Sequence, residues 1–166
     1  MKINHPGFRG AVVAAALAIA SVFVPGASAD SVRGEKTLGL MGGYATYNHS
    51  GFANVYFQYS FSRHVRIAPE VGIVFSNGGR SALTISGDMQ FPFKIVSGFQ
   101  VYPLAGLTFN TWNYSHDSTR SRFGGEVGLG FDLYMTRHLK VNLQGKYSLM
   151  NDTSGAFFGL GIGYVF

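Results

Sequence analysis

The chain has 166 residues, with 13 Lys and Arg against 8 Asp and Glu, 23 Gly and no Cys. That length suits one domain. The lack of Cys excludes a disulfide framework, a lipid-modified Cys and thiolate metal sites together. The mild basic excess is not a nucleic-acid footprint, and no nucleic-acid partner is expected.

The front end reads as a secretory signal. Lys2 and Arg9 form a basic region, residues 11–24 (AVVAAALAIASVFV) an apolar one, and the small-residue run ASA ends at Ala29. Cleavage is expected between Ala29 and Asp30, leaving 30–166 as the folded domain. The apolar run of 14 residues is short of the ~20 that a membrane-spanning helix needs. An uncleaved anchor helix is the alternative.

Eight alternating segments follow. Residues 36–47 set Leu38, Leu40 and Tyr44 against Gly39, Met41 and Gly43, and 53–61 set Val55, Phe57, Tyr59 and Phe61 against Asn54, Tyr56, Gln58 and Ser60. The third (65–75) and fourth (82–93) set Ile67, Val71 and Ile73, then Leu83, Ile85 and Met89, against Arg66 and Glu70, then Thr84, Ser86 and Asp88. The fifth (98–110) and sixth (123–134) place Phe99, Val101, Val127 and Leu129 opposite Gln100, Tyr102, Glu126 and Asp132. The seventh (139–150) opposes Val141 and Leu143 to Lys140, Asn142 and Lys146, and the eighth is the closing GLGIGYVF, 159–166. Segments of about ten residues, apolar on one face and polar or Gly on the other, are the mark of transmembrane β-strands. A soluble sandwich or lipocalin-type barrel would want the charges outward instead.

The connections alternate as well. Residues 62–64, 94–97 and 135–138 are short, whereas 48–51, 76–80, 111–122 and 151–155 are polar or Gly-rich, and the third of these is long. Short turns on one side and loops on the other, with an even strand count, put both termini on the short, periplasmic side. FSRHVRI (61–67) and MTRHLKV (135–141) match in residue type, so the first turn echoes the last. Pro69 and Pro103 fall inside strands and each implies a local break or bulge. Strict alternation also turns Val74 and Leu104 inward.

The fold class expected is all-β: an eight-stranded antiparallel up-and-down transmembrane β-barrel. The closing strand, with Gly161, Tyr164 and terminal Phe166, resembles the carboxy-terminal signal of bacterial outer-membrane barrels, with Gly159 departing from the more usual polar residue. VYPLAGL (101–107) and GGEVGLGFDLY (124–134) resemble stretches of small OmpA- and OmpX-type barrel domains. The resemblance covers 36–166 and implies an outer-membrane location, with the terminal strand read by the barrel-assembly machinery.

An eight-stranded barrel is only wide enough for packed side chains. Inward Gly residues (39, 43, 72, 106, 128, 130, 159, 161 and 163) are expected to offset Tyr56, Tyr102 and Tyr134. Arg66, Lys140 and Lys146 face inward with Glu70, Asp88, Glu126 and Asp132, and buried charge must pair. Lys140 stands diagonal to Asp132, and Lys146 to Glu126. A paired plug and a polar pore lining both fit. Phe61, Phe93, Phe99 and Phe166 are expected in one interfacial girdle, Tyr44, Phe75, Phe109 and Phe158 in the other.

No catalytic, cofactor or metal site is expected. His116-Asp117-Ser118 with Glu126 is similar to the His-x-Ser plus acid of outer-membrane lipid A deacylases, but Thr119-Arg120 stands where that family has Asn-Ala. The expected function is a non-enzymatic barrel in an envelope-structural or surface-interaction role, with a narrow channel or a lipid A-modifying enzyme as alternatives. Arg80, Arg120 and Arg122 sit near the loop ends, where lipopolysaccharide phosphates are the expected contact. The four loops are candidate surfaces for an extracellular ligand.

Overall fold

The computed structural model describes residues 33–78, 80–114, 118–150 and 154–166, and the leader expected over 1–29 lies outside them. Every regular element there is a strand: β1 (Lys36–Ala45), β2 (Ser50–Ser62), β3 (Val65–Asn77), β4 (Arg80–Gln90), β5 (Phe93–Val96), β6 (Phe99–Tyr114), β7 (Ser118–Tyr134), β8 (Leu139–Leu149) and β9 (Gly155–Val165). Their order is β4-β3-β2-β1-β9-β8-β7-β6-β5, and β4 also pairs with β6. The last strand is zipped to the first (Leu40↔Ile162) and β4 to β6, so the sheet closes on itself, and among the described strands the short β5 alone has a single neighbour, β6.

Nine segments make eight staves, because β4 and β5 both lie against β6 and form one stave in two pieces. The fourth strand, expected unbroken over 82–93, is interrupted at Phe91-Pro92. The interruption faces Pro103, whose carbonyl accepts from Phe91 N at 2.9 Å. Pro103 itself stays in β6, paired with Leu129. Where neither proline can donate a ladder bond, the sheet breaks on the stave beside Pro103 rather than at it. Pro69 likewise stays in β3 opposite Gly87, while the β2–β3 ladder skips from Tyr56↔Glu70 to Tyr59↔Ile67 without losing register.

Two connections differ from expectation. The turn expected at 94–97 is mostly β5, and the chain reverses at Ser97-Gly98, where Gly98 takes φ 78°. The expected loop 111–122 is largely a continuation of β6 and β7, which stay paired up to Tyr114↔Ser118. Thr111, Trp112, Tyr114 and Thr119 favour pleated backbone, so the hairpin zips past the point where composition turns polar. Residues 115–117, in that loop, and 151–153, in the last one, lie outside the described set.

The register sets the barrel's shape. Following the register around from Leu149 through Gly125, Leu107, Gly87 and Pro69, across the unpaired step of the β2–β3 ladder to Phe57, then Leu38 and Tyr164, returns to β8 at Leu139, displaced by ten residues. A stagger of that size over eight strands tilts them by roughly 40° and gives a backbone radius of about 8 Å. The lumen is therefore a packed column. Outside, Leu160 is 59% and Ile162 51% exposed, whereas Arg66 and Asp132 inside are 0% exposed. That is a soluble fold turned inside out, which removes the sandwich alternative. Val74 and Leu104 do face the interior.

Candidate functional site: the charged lumen

Inward positions on eight tilted strands converge in layers. Nearest the chain termini, Arg66 of β3 reaches across to Asp132 of β7, with Nη1 2.7 Å from Oδ2. Its Nε donates to Gln90 Oε1 at 2.7 Å, and the guanidinium lies over the Tyr102 ring, 4.7 Å from the centroid. Lys140 Nζ stands 3.8 Å from Asp132 Oδ2 and 3.6 Å from Glu35 Oε1. Asn142 donates to Asp132 Oδ1 at 2.6 Å and to the Tyr102 hydroxyl, and Tyr134 donates to Glu35 Oε1 at 2.8 Å. Two cations meet two anions, so this layer is charge-balanced.

Glu35 is the member that pattern reading missed. It precedes β1 and so fell outside the first alternating segment. The signal was one residue away: Thr37 and Met41 are buried inward positions of β1, and stepping back two from Thr37 reaches Glu35.

The middle layer is built around Lys146 of β8. Its Nζ is 2.7 Å from Glu70 Oε1, 2.5 Å from Asp88 Oδ2 and 3.2 Å from Glu126 Oε1. An ammonium has three N–H donors, and three staves each supply one acceptor. Asn54 adds a bond to Glu70 Oε2 at 3.2 Å. This layer has one cation for three carboxylates. Beside it is a cavity of about 20 Å³, lined in part by Glu70, Glu126, Gln144 and Lys146, with room for about one water.

Above, towards the loops, the lumen turns apolar. Met41, Phe52, Val74, Ala82 and Trp112 pack together, with Tyr47 and Phe157 against them. Tyr47 meets Trp112 edge-on at 5.2 Å between centroids, and Phe157 meets both Tyr47 and Phe52. Sequence reasoning did not see this cap, because Tyr47 and Phe157 lie where the alternation fades.

Glycines make the tyrosines fit. A Cβ on Gly163 would stand 2.7 Å from the Tyr56 hydroxyl, one on Gly39 would overlap the same ring, and one on Gly130 would overlap Tyr102. Gly161 and Gly163 of the closing strand thus have a packing reason: they floor the space that Tyr56 occupies, while Gly159 makes room for Met41 and Phe52.

The remaining predicted residues fall elsewhere. Gly161 is buried, whereas Tyr164 and Phe166 face outward and stack on one another at 6.3 Å. Arg80 heads β4, opposite Tyr114. Arg120 pairs with Trp112 in the β6–β7 ladder, and Arg122 pairs with Asn110, a buried inward position, so the register puts Arg122 on the lumen side of the long hairpin and not on its lipid side with Phe123. His116 and Asp117 lie outside the described residues. Glu126 is eight residues down β7 from Ser118, about 26 Å away at strand rise, and its carboxylate is held by Lys146. The His-x-Ser-plus-acid reading therefore loses its acid.

A closed eight-stave barrel with an apolar exterior and a charged core already limits the families to consider. The family model described as outer membrane protein beta-barrel domain matches residues 5–166. The chain belongs to that family. Its fold is similar to the amino-terminal barrel of Pseudomonas aeruginosa OprF, with TM-score 0.70, 18% identity, and 81% of this chain and 98% of that one covered. It is also similar to neisserial surface protein A (TM-score 0.68, 13% identity, 80% and 97% covered). Ail, the attachment invasion locus protein of Yersinia pestis, matches with TM-score 0.60 and 17% identity over 81% and 100%. No curated protein matches the chain. This family places the protein in the bacterial outer membrane.

Proposed function

We propose that the protein is a non-enzymatic outer-membrane barrel whose lumen is a structural plug, and whose work in the envelope is done by its outer surface and loops. Both termini then face the periplasm. The observation that carries this reading is the stacking of two ion clusters and an aromatic cap along one lumen. A water-filled path would have to cross all three layers. The loop ends at 48–51, 76–80 and 151–155 and the hairpin tip within 111–122 are then the surfaces left for a ligand. Arg80, Arg120 and Arg122 would contribute to lipopolysaccharide contact at the loop end of the barrel.

The test is conductance of the refolded protein in planar bilayers. The expected result is no steady porin-sized current at neutral pH. Sustained large openings in the wild type would defeat the plug and favour the channel alternative.

A further inference from the structure

Outward glycines thin the lipid face along the seam where the barrel closes. Across β1, β9 and β8 the outward positions Tyr44, Phe158 and Gly145 form one cross-strand row, and Gly42, Leu160 and Leu143 form the next. Gly42 and Gly145 therefore flank β9 on its two sides, one row apart. A Cβ on Gly42 would meet nothing nearer than a backbone oxygen at 3.6 Å, so the wall is bare there. A Cβ on Gly145 would meet the Phe158 ring at 3.5 Å. That ring leans towards β8 and away from β1, which keeps the ground over Gly42 open.

The result is a groove of about 920 Å³ that also reaches β7. Its floor is the backbone at Gly42 and Gly145, and Tyr44, Leu129, Phe131, Leu143, Tyr147 and Leu160 stand around it. From Tyr147 down β8 to Leu143 it runs about 13 Å at strand rise, close to half of the ~30 Å hydrocarbon core of a bilayer. Tyr44 and Tyr147 lie near the loop ends of their strands, so the groove occupies the half of the lipid face on the loop side.

The chemistry of the occupant follows from the lining. Its outward side chains are all apolar or aromatic, and its two polar members, Gln144 and Lys146, are turned into the lumen, 3% and 8% exposed. The family places this face in the bacterial outer membrane, against lipid hydrocarbon. Between apolar surfaces in a bilayer there is no hydrophobic drive, and packing decides what stays in contact. A lipid chain beside a large outward side chain touches the barrel along one line. In the groove it touches the floor and both walls, and small dispersion gains add up. Gly51, also outward, has no such opening, because the Phe75 ring stands 3.1 Å from where its Cβ would be.

We propose that this groove seats one straight acyl chain of a membrane lipid from the leaflet on the loop side. The seat is a property of the barrel wall and holds whichever way the barrel is inserted.

The experiment uses the full barrel refolded in phosphatidylcholine vesicles that carry a trace of phosphatidylcholine with a photoreactive diazirine on one saturated chain. After irradiation, the labelled positions are located by mass spectrometry of peptides. Residues 42–44, 143–147 and 156–160 are expected to be labelled about three-fold more than residues 71–75 of β3, at similar depth, the equivalent of a few added dispersion contacts. Gly42→Leu fills the groove and should bring that ratio to about one. Gly87→Leu, on the far side of the barrel and with nothing within 4 Å of its Cβ, should leave the ratio as in the wild type. If Gly42→Leu does not refold, Gly42→Ala is expected to lower the ratio part of the way. Even labelling of the wild type, or an equal loss from Gly87→Leu, overturns the proposal. So does a seam shielded from the lipid probe in a barrel that migrates as a dimer, which would give the groove to a second copy of the chain.

Discussion

Lys146 is the residue on which the middle of the lumen depends, and Lys146→Met removes its charge at nearly constant length. Its ammonium lies 2.5–3.2 Å from three carboxylates, and the side chains of Lys146, Glu70, Asp88 and Glu126 are only 8%, 3%, 0% and 5% exposed. Each contact is worth about 5 kcal/mol of attraction at an effective dielectric of 20, most of it offset by the cost of taking both charges out of water. What the variant loses is the compensation. Three carboxylates would remain buried together without a cation, and removing one partner from such a site costs about 3–5 kcal/mol. The expected loss for Lys146→Met is therefore about 4 kcal/mol. The chain has a single tryptophan, Trp112, 2% exposed in the apolar cap, so urea unfolding in lipid vesicles can be followed by its fluorescence. A second variant separates charge from packing: adding Glu70→Gln, Asp88→Asn and Glu126→Gln to Lys146→Met should recover most of the loss. The reasoning is refuted if Lys146→Met costs less than about 1 kcal/mol, or if the charge-free quadruple variant is no more stable than the single one.

Other outcomes follow from neighbouring features. Gly39→Ala should destabilise the barrel by about 1–3 kcal/mol, because its Cβ would overlap Tyr56 and stand 2.6 Å from Ile162 O, whereas at Gly42, on the outer face, the nearest atom is 3.6 Å away. Heat-modified gel mobility after refolding compares the pair, and equal behaviour would contradict the packing role given to Gly39. Deleting Phe166, which faces outward at 58% exposure, should reduce outer-membrane yield more than Phe158→Ala, which removes an equally exposed ring from the opposite girdle; equal yields would remove the case for a terminal assembly signal. Lipopolysaccharide should raise the unfolding temperature of the folded barrel, and Arg120→Ala with Arg122→Ala should cancel most of that rise. An undiminished response would mean that these positions serve the hairpin and not the lipid.

The turns at Ser62-Arg63-His64 and Thr136-Arg137-His138 show where local reading works and where it stops. The match between FSRHVRI and MTRHLKV is visible as text, and the Ser/Thr-to-His hydrogen bonds span only two residues. The onward contact of His138 with Val165 lies 27 residues away in sequence, so only the register between β8 and β9 could reveal it.

By itself, the sequence determined the class of fold and which face of each strand is which. Period-two alternation is a property of the strand backbone, so Arg66, Asp132 and Lys146 could be placed inward before any contact was known. It did not determine partners across the lumen. Arg66 meets Asp132 and Lys146 meets Glu70 at separations of 66 and 76 residues, and those encounters depend on the ten-residue stagger that brings inward positions of distant staves to one level. The break at Phe91-Pro92 and the long β6–β7 hairpin were likewise settled by pairing, since a residue stays in a sheet when its neighbour's ladder holds it there, whatever its own composition suggests.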